Sequence, residues 1–198
     1  LAADQGHLMA DTPLTLAETA SVFGEMLTFR SMLKATGDPV SRRAMLAGKV
    51  EDMINTVVRQ TAFCIFERDI HDARQEGELT AEDIGKIWMK VQKESLGPVF
   101  RYHDDYRHYW AYIPHFIHSP FYVYAYAFGD CLVNALYSVY QDAEAGFADK
   151  YLEMLRAGGT LRHKELLAPF GLDTTDPTFW DAGLNIVEGQ IDELEATM

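Results

Sequence analysis

Leu16-Ala17-Glu18-Thr19-Ala20-Ser21-Val22-Phe23-Gly24-Glu25 decides how this chain is read. It is a helical segment with two carboxylates seven residues apart. At about 3.6 residues per turn, Glu25 returns to nearly the face of Glu18, two turns further on. Two readings of the pair stay open. Thr15-Leu16-Ala17-Glu18 fits a capping box, with Thr15 as N-cap and Glu18 reaching back to its backbone N–H. Alternatively, the two acids form one stripe that carries chemistry. Working outward, the helix spans Leu14 to Ala35 and stops at Thr36-Gly37-Asp38-Pro39. Glycine suits the position after a last turn, and proline cannot continue it.

The helical pattern persists beyond this stop. Met45, Leu46, Val50, Met53, Ile54, Val57, Val58, Ala62, Ile65 and Ile70 repeat at three and four, which predicts one long helix from Val40 to Arg74, open to bending at Gly48. Gln75-Glu76-Gly77-Glu78 is a turn, and Thr80 caps a helix running through Leu96. Pro114 and Pro120 bracket an irregular loop leading into a helix from about Phe121, which continues through Ala127 to Gln141. Shorter helices follow at Phe147–Arg156 and Leu161–Leu167, and Asp176-Pro177 starts a last one toward Met198. With no strand pattern, the expected fold class is all-α, a bundle of about seven helices.

The 198 residues, 48% hydrophobic and 12% aromatic, suffice for one sizeable core, so the expected organisation is a single domain over 1–198. A net charge of −13 argues against a general nucleic-acid or anionic-membrane surface, both of which reward clustered Lys and Arg. Cys64 and Cys131 sit in apolar helical patterns and read as buried thiols of a reducing compartment. Neither a membrane-spanning run nor a signal peptide is visible, and the expected location is cytoplasmic. The chain opens on Leu1 without an initiator Met, so it reads as the downstream part of a longer protein.

Two further clusters of chemistry-bearing residues stand out. His103, Asp104, Asp105 and His108 have competent metal-ligand types, but adjacent aspartates point apart and Arg107 competes for them; a solvated connection is the preferred reading, as it is for the isolated His7. The segment Tyr112-Ile113-Pro114-His115-Phe116-Ile117-His118-Ser119-Pro120-Phe121-Tyr122-Val123-Tyr124-Ala125-Tyr126-Ala127 is harder to read as scaffold. Tyr122 and Tyr126 are four apart on one helical face and Tyr124 points away from them. An aromatic core stripe with hydroxyls at its rim is the alternative.

Taken with Ala17-Glu18-Thr19-Ala20-Ser21, that segment resembles the oligoendopeptidase F branch of the thimet-oligopeptidase-like zinc metallopeptidases, and Phe179-Trp180 with Gly183-Leu184-Asn185-Ile186-Val187-Glu188 resembles its C-terminal helix. The family's His-Glu-x-x-His is absent. The resemblance implies zinc in the intact parent, with Glu18 as its third ligand and Glu25 orienting a ligand or holding the helix face. The missing motif would supply both imidazole ligands and the general base. His115, with Tyr122 and Tyr126 as first choice among the tyrosines, would stabilise the oxyanion, and Tyr124 and His118 would contact substrate. Substrates would be short peptides cut internally, while this part alone would bind zinc weakly and be inactive. The rival expectation is a non-catalytic helical binding or assembly module. A di-iron bundle would need paired Glu-x-x-His motifs, which are lacking.

Overall fold

The structure, a computed structural model, describes residues 1–198 except Leu14, Thr15, Ala17, Ala143, Glu144 and the side chain of Asp142. Among the described residues are nine α-helices and no strand: α1 (Thr19–Ala35), α2 (Pro39–Met53), α3 (Gln60–Glu76), α4 (Ala81–Leu96), α5 (His115–His118), α6 (Tyr124–Asp142), α7 (Phe147–Arg156), α8 (His163–Leu167) and α9 (Pro177–Glu195). The chain divides into two compact units, where composition alone reads one domain. Leu1–Met53 and Phe128–Met198 form the first, and Ile54–Ala127 the second.

In the first unit, α6 is the most deeply placed element. Its residues from Gly129 to Tyr137 are all buried, as expected of a helix apolar on every side apart from Asp130 and Asn134. Leu132, Val133 and Leu136 share their core with Phe23 of α1 and Phe147 and Met154 of α7. The Phe23 ring lies 4.8 Å from that of Tyr151 and 5.7 Å from that of Phe147. The Tyr151 hydroxyl donates to the Thr19 carbonyl at 2.9 Å, which ties α7 to the start of α1. Gly183 brings α9 against α6. A Cβ there would stand 2.8 Å from the Cys131 carbonyl oxygen, so no larger residue fits without movement.

The second unit is built on α3 and α4, whose Phe63, Phe66, Trp88 and Val91 close a core around Val123. Phe116 of α5 joins it, 5.2 Å from Phe66 and 5.6 Å from Phe63, centroid to centroid. The cap predicted for α4 is present in full: the Thr80 side chain accepts from the Asp83 N–H, and the Asp83 carboxylate accepts from the Thr80 N–H.

Several boundaries differ from those the sequence suggests. The helix start at Leu14 and the Thr15 cap lie outside the described residues; α1 begins at Thr19, and the side chain of Glu18, which precedes it, makes no capping bond. The helix predicted over Val40–Arg74 is helical without a break from Pro39 to Glu76, but a π-helical stretch, Ile54–Arg59, joins α2 to α3, while Gly48 lies inside α2. The Ile54-Asn55-Thr56-Val57-Val58 run is rich in β-branched residues, which form α-helix less readily, and a π-turn admits one extra residue without ending the helix. His115–His118 is a full α-turn with Pro114 at its N-cap, not an irregular loop. α6 starts at Tyr124, three residues later than expected, because Phe121 is left-handed, with φ 59°. No helix among the described residues is long and apolar enough to cross a membrane.

Candidate active site

The second unit gathers three of the predicted site residues. α5 places His115 at its first position, directly after Pro114, with its ring half-buried. His115 Nε2 and the Tyr126 hydroxyl share a hydrogen bond of 3.2 Å, with the direction set by the imidazole tautomer. Tyr126 lies in the first turn of α6, its ring edge-on to His115 at 5.7 Å. The Tyr122 ring stacks on the imidazole at 5.9 Å and meets Tyr126 at 5.2 Å, so the three rings close a triangle. Tyr122 precedes α6, so the turn before the helix, rather than helical spacing, sets it beside Tyr126. Tyr124 and His118 are exposed, and among the described residues neither ring packs on this trio.

Chemically, the trio offers a phenol held at the rim of an apolar core. An imidazole accepting from Tyr126 takes the phenol's one proton, whereas an imidazole donating to the Tyr126 oxygen leaves that proton for another acceptor. Only the second arrangement lets the Tyr126 hydroxyl donate toward an oxygen bearing developing negative charge.

In the first unit, the Ser21 hydroxyl lies 3.0 Å from Glu18 Oε2, as a donor, and 3.1 Å from the Glu18 carbonyl. The Glu18 carboxylate, with no capping bond to make, is partly exposed at the head of α1. α6 passes beside it at Gly129, where a Cβ would stand 3.7 Å from Glu18 Cβ, ordinary van der Waals contact. Two turns further along α1, Glu25 Oε1 accepts from Lys49 Nζ at 2.7 Å.

Lys49 was not legible as a functional residue. Flanked by Leu46, Val50 and Met53, it reads as a lysine snorkelling from an apolar stripe. It is buried, however, and its charge also faces Asp130 of α6. Asp130 is 5% exposed and accepts from Asn134 Nδ2 at 3.1 Å. Burial pushes its carboxyl up to about 6, with the Glu25 charge adding to the rise, against the lowering pull of Lys49 and the Asn134 bond. The available sequence signal was a pair of polar residues spaced i, i+4 within an otherwise apolar helix.

A carboxyl with a raised folded pKa binds its proton more tightly when folded. Asp130 therefore costs nothing below about 3.8; its penalty grows as the pH rises to about 6 and is constant above that. Asp130→Asn keeps an oxygen for the Asn134 amide and removes the buried charge. The variant is expected to be more stable at pH 7 by on the order of 2–3 kcal/mol, an advantage that fades between pH 6 and pH 4. Denaturant melts of both proteins across that range measure the difference; an equal gain at pH 4 and pH 7 would refute the assignment.

Residues 2–186 match the profile of peptidase family M3. The chain belongs to that family. Among family relatives, it is 31% identical over 193 residues to an oligoendopeptidase F homolog of Lactococcus lactis subsp. lactis, covering 97% of this chain and 32% of that protein. It is 33% identical over 181 residues to the oligopeptidase PepF of Bacillus subtilis, covering 91% and 27% respectively. The crystal structure of oligoendopeptidase-F from Enterococcus faecium superposes with a TM-score of 0.83 at 27% identity, over 99% of this chain and 38% of that one. The chain thus spans about a third of the length of the curated relatives it matches.

The zinc implied by the resemblance can be tested against the family M3 residues in hand. A catalytic zinc takes three protein ligands and an open position. Glu18 fits one of the three: a partly exposed carboxylate with one oxygen bonded to a hydroxyl that would orient it. The described residues hold no group of three His, Cys, Asp or Glu side chains able to grip a metal ion. These residues by themselves therefore do not complete a catalytic metal site.

Proposed function

We propose that the protein carrying this chain is a zinc-dependent oligopeptidase hydrolysing internal bonds of short peptides in the cytoplasm. The observation that carries this reading is the His115–Tyr126 hydrogen bond with Tyr122 stacked beside it, in a chain of peptidase family M3. In this reading Glu18 is the carboxylate ligand of the metal, kept in one rotamer by Ser21. Glu25, anchored by the buried ammonium of Lys49, keeps a carboxylate on the same helix face two turns on and orients a neighbouring ligand. By the family resemblance, two imidazole ligands and the general base would come from a His-Glu-x-x-His motif that these 198 residues do not contain.

When bound, zinc supplies a Lewis acid that polarises the scissile carbonyl and brings the pKa of a water toward ~7. The residues of this chain do the rest of what is assigned here. Tyr126, and secondarily Tyr122, donate to the carbonyl oxygen as it gains charge, and His115 holds the Tyr126 hydroxyl in place. Tyr124 and His118, both exposed, are the residues assigned to contact the peptide.

The test is metal removal from the whole protein. Dialysis against a chelator is expected to abolish cleavage of a short internally quenched peptide, and stoichiometric zinc to restore it. Full activity in metal-free protein would refute the zinc-dependent reading.

A further inference from the structure

Glu67 is an anomaly in the second unit. It lies mid-way along α3 and is 3% exposed, in the unit whose apolar core is built from Phe63, Phe66, Trp88 and Val91. Burying a carboxylate is costly unless its oxygens are bonded. One oxygen, Oε1, accepts the backbone N–H of Phe121 at 2.6 Å; the other, Oε2, is buried and has no hydrogen-bond partner among the described residues.

Its partner is equally unusual. Phe121 is the non-glycine residue with positive φ among the described residues, at 59°. A residue with a Cβ occupies that region only where its surroundings impose it. Two groups on α3, one turn apart, hold Phe121: the Glu67 carboxylate takes its N–H, and the His71 ring packs on its ring at 4.7 Å. On the other side of Tyr122, Val123 is fully buried in the core of the unit. Tyr122 is thus suspended between a strained, pinned residue and a buried one, with its ring stacked on His115.

We infer that Glu67 is a positioning residue: its carboxylate fixes the left-handed turn at Phe121 and so sets Tyr122 against His115 and Tyr126. The catalytic part of this inference rests on the peptidase reading above; the structural part does not. A buried charge tolerated to hold one N–H explains why an ionisable residue stands where any apolar side chain would fill the space.

The experiment uses the whole protein in three forms. Glu67→Met fills the volume without offering an acceptor, Glu67→Gln keeps an oxygen for the Phe121 N–H, and Glu67→Met/Phe121→Gly lets the turn form without the carboxylate, since glycine adopts positive φ freely. Hydrogen exchange by mass spectrometry is expected to show residues 119–123 exchanging on the order of 10- to 100-fold faster in Glu67→Met, with α3 and α4 unchanged, near-parental protection in Glu67→Gln, and no restored protection in the double variant, whose residue-121 N–H still lacks its acceptor. With a short peptide substrate, kcat should fall roughly 10- to 100-fold in Glu67→Met at little change in KM, recover in Glu67→Gln, and recover in part in the double variant, where positive φ is no longer strained. Unchanged exchange at 119–123 in Glu67→Met would overturn the clamp. Faster exchange with unchanged kcat would overturn the positioning role. A parental protein with no peptidase activity would instead sink the peptidase reading, and exchange alone would then decide the clamp.

Discussion

Glu18→Gln in the whole protein is expected to lose tightly bound zinc and to cut kcat/KM by about 10³-fold or more. The size follows from the chemistry. A Lewis acid contributes several kcal/mol of transition-state stabilisation, and each 1.36 kcal/mol is about tenfold in rate. An amide oxygen is a far poorer ligand than a carboxylate for a divalent ion, so both affinity and polarising power go together. The change is also clean in structural terms. Glu18 makes no capping bond to α1, and the Ser21 hydroxyl can donate to the amide oxygen as it does to Oε2. Helicity and melting temperature should therefore stay near the parental values while the metal is lost. Elemental analysis of the purified variant checks this directly, and stoichiometric zinc in it would mean that Glu18 is not a ligand.

How far these residues announce themselves varies with the range of the forces that place them. Element ends governed by local bonds were legible: the Thr80–Asp83 box, the Asp176-Pro177 start where the Asp176 carboxylate accepts from the Thr178 N–H, and the limits of α7 at Phe147 and Arg156. The π-helical stretch was not, because one extra residue between α2 and α3 barely disturbs an apolar repeat that already alternates threes and fours. Nor was the late start of α6, since the turn at Phe121 is held by Glu67, 54 residues away in sequence. Lys49 and Asp130 belong to the same class: each looks like an ordinary interruption of an apolar stripe until packing brings them together. The division into two units left no mark in composition either, one boundary falling between Met53 and the π-helical stretch and the other within α6. What resemblance supplied, and local reading did not, was the pairing of His115 with the tyrosines after Pro120.

Among those tyrosines the geometry ranks the hydroxyls. Tyr126→Phe should lower kcat by ~100- to 1000-fold, the usual cost of removing one donor to a developing oxyanion, with KM changed far less, because the bond matters most when the oxygen carries charge. The substitution deletes a single hydroxyl from a half-buried ring whose contacts with His115 and Tyr122, at 5.7 Å and 5.2 Å, are made by the aromatic face and edge. Packing is kept, and a stability loss large enough to explain the rate is not expected. Tyr122→Phe is the internal comparison. Its ring stacks on the imidazole, so removing its hydroxyl should cost less than removing that of Tyr126, whose oxygen is bonded to His115 Nε2. Steady-state kinetics of both variants on one peptide, alongside thermal melts, separate the two contributions. A Tyr126→Phe enzyme with parental kcat would move the donor role elsewhere, and a larger loss in Tyr122→Phe would reverse the ranking; either result would leave the His115–Tyr126 bond a structural tie between α5 and α6.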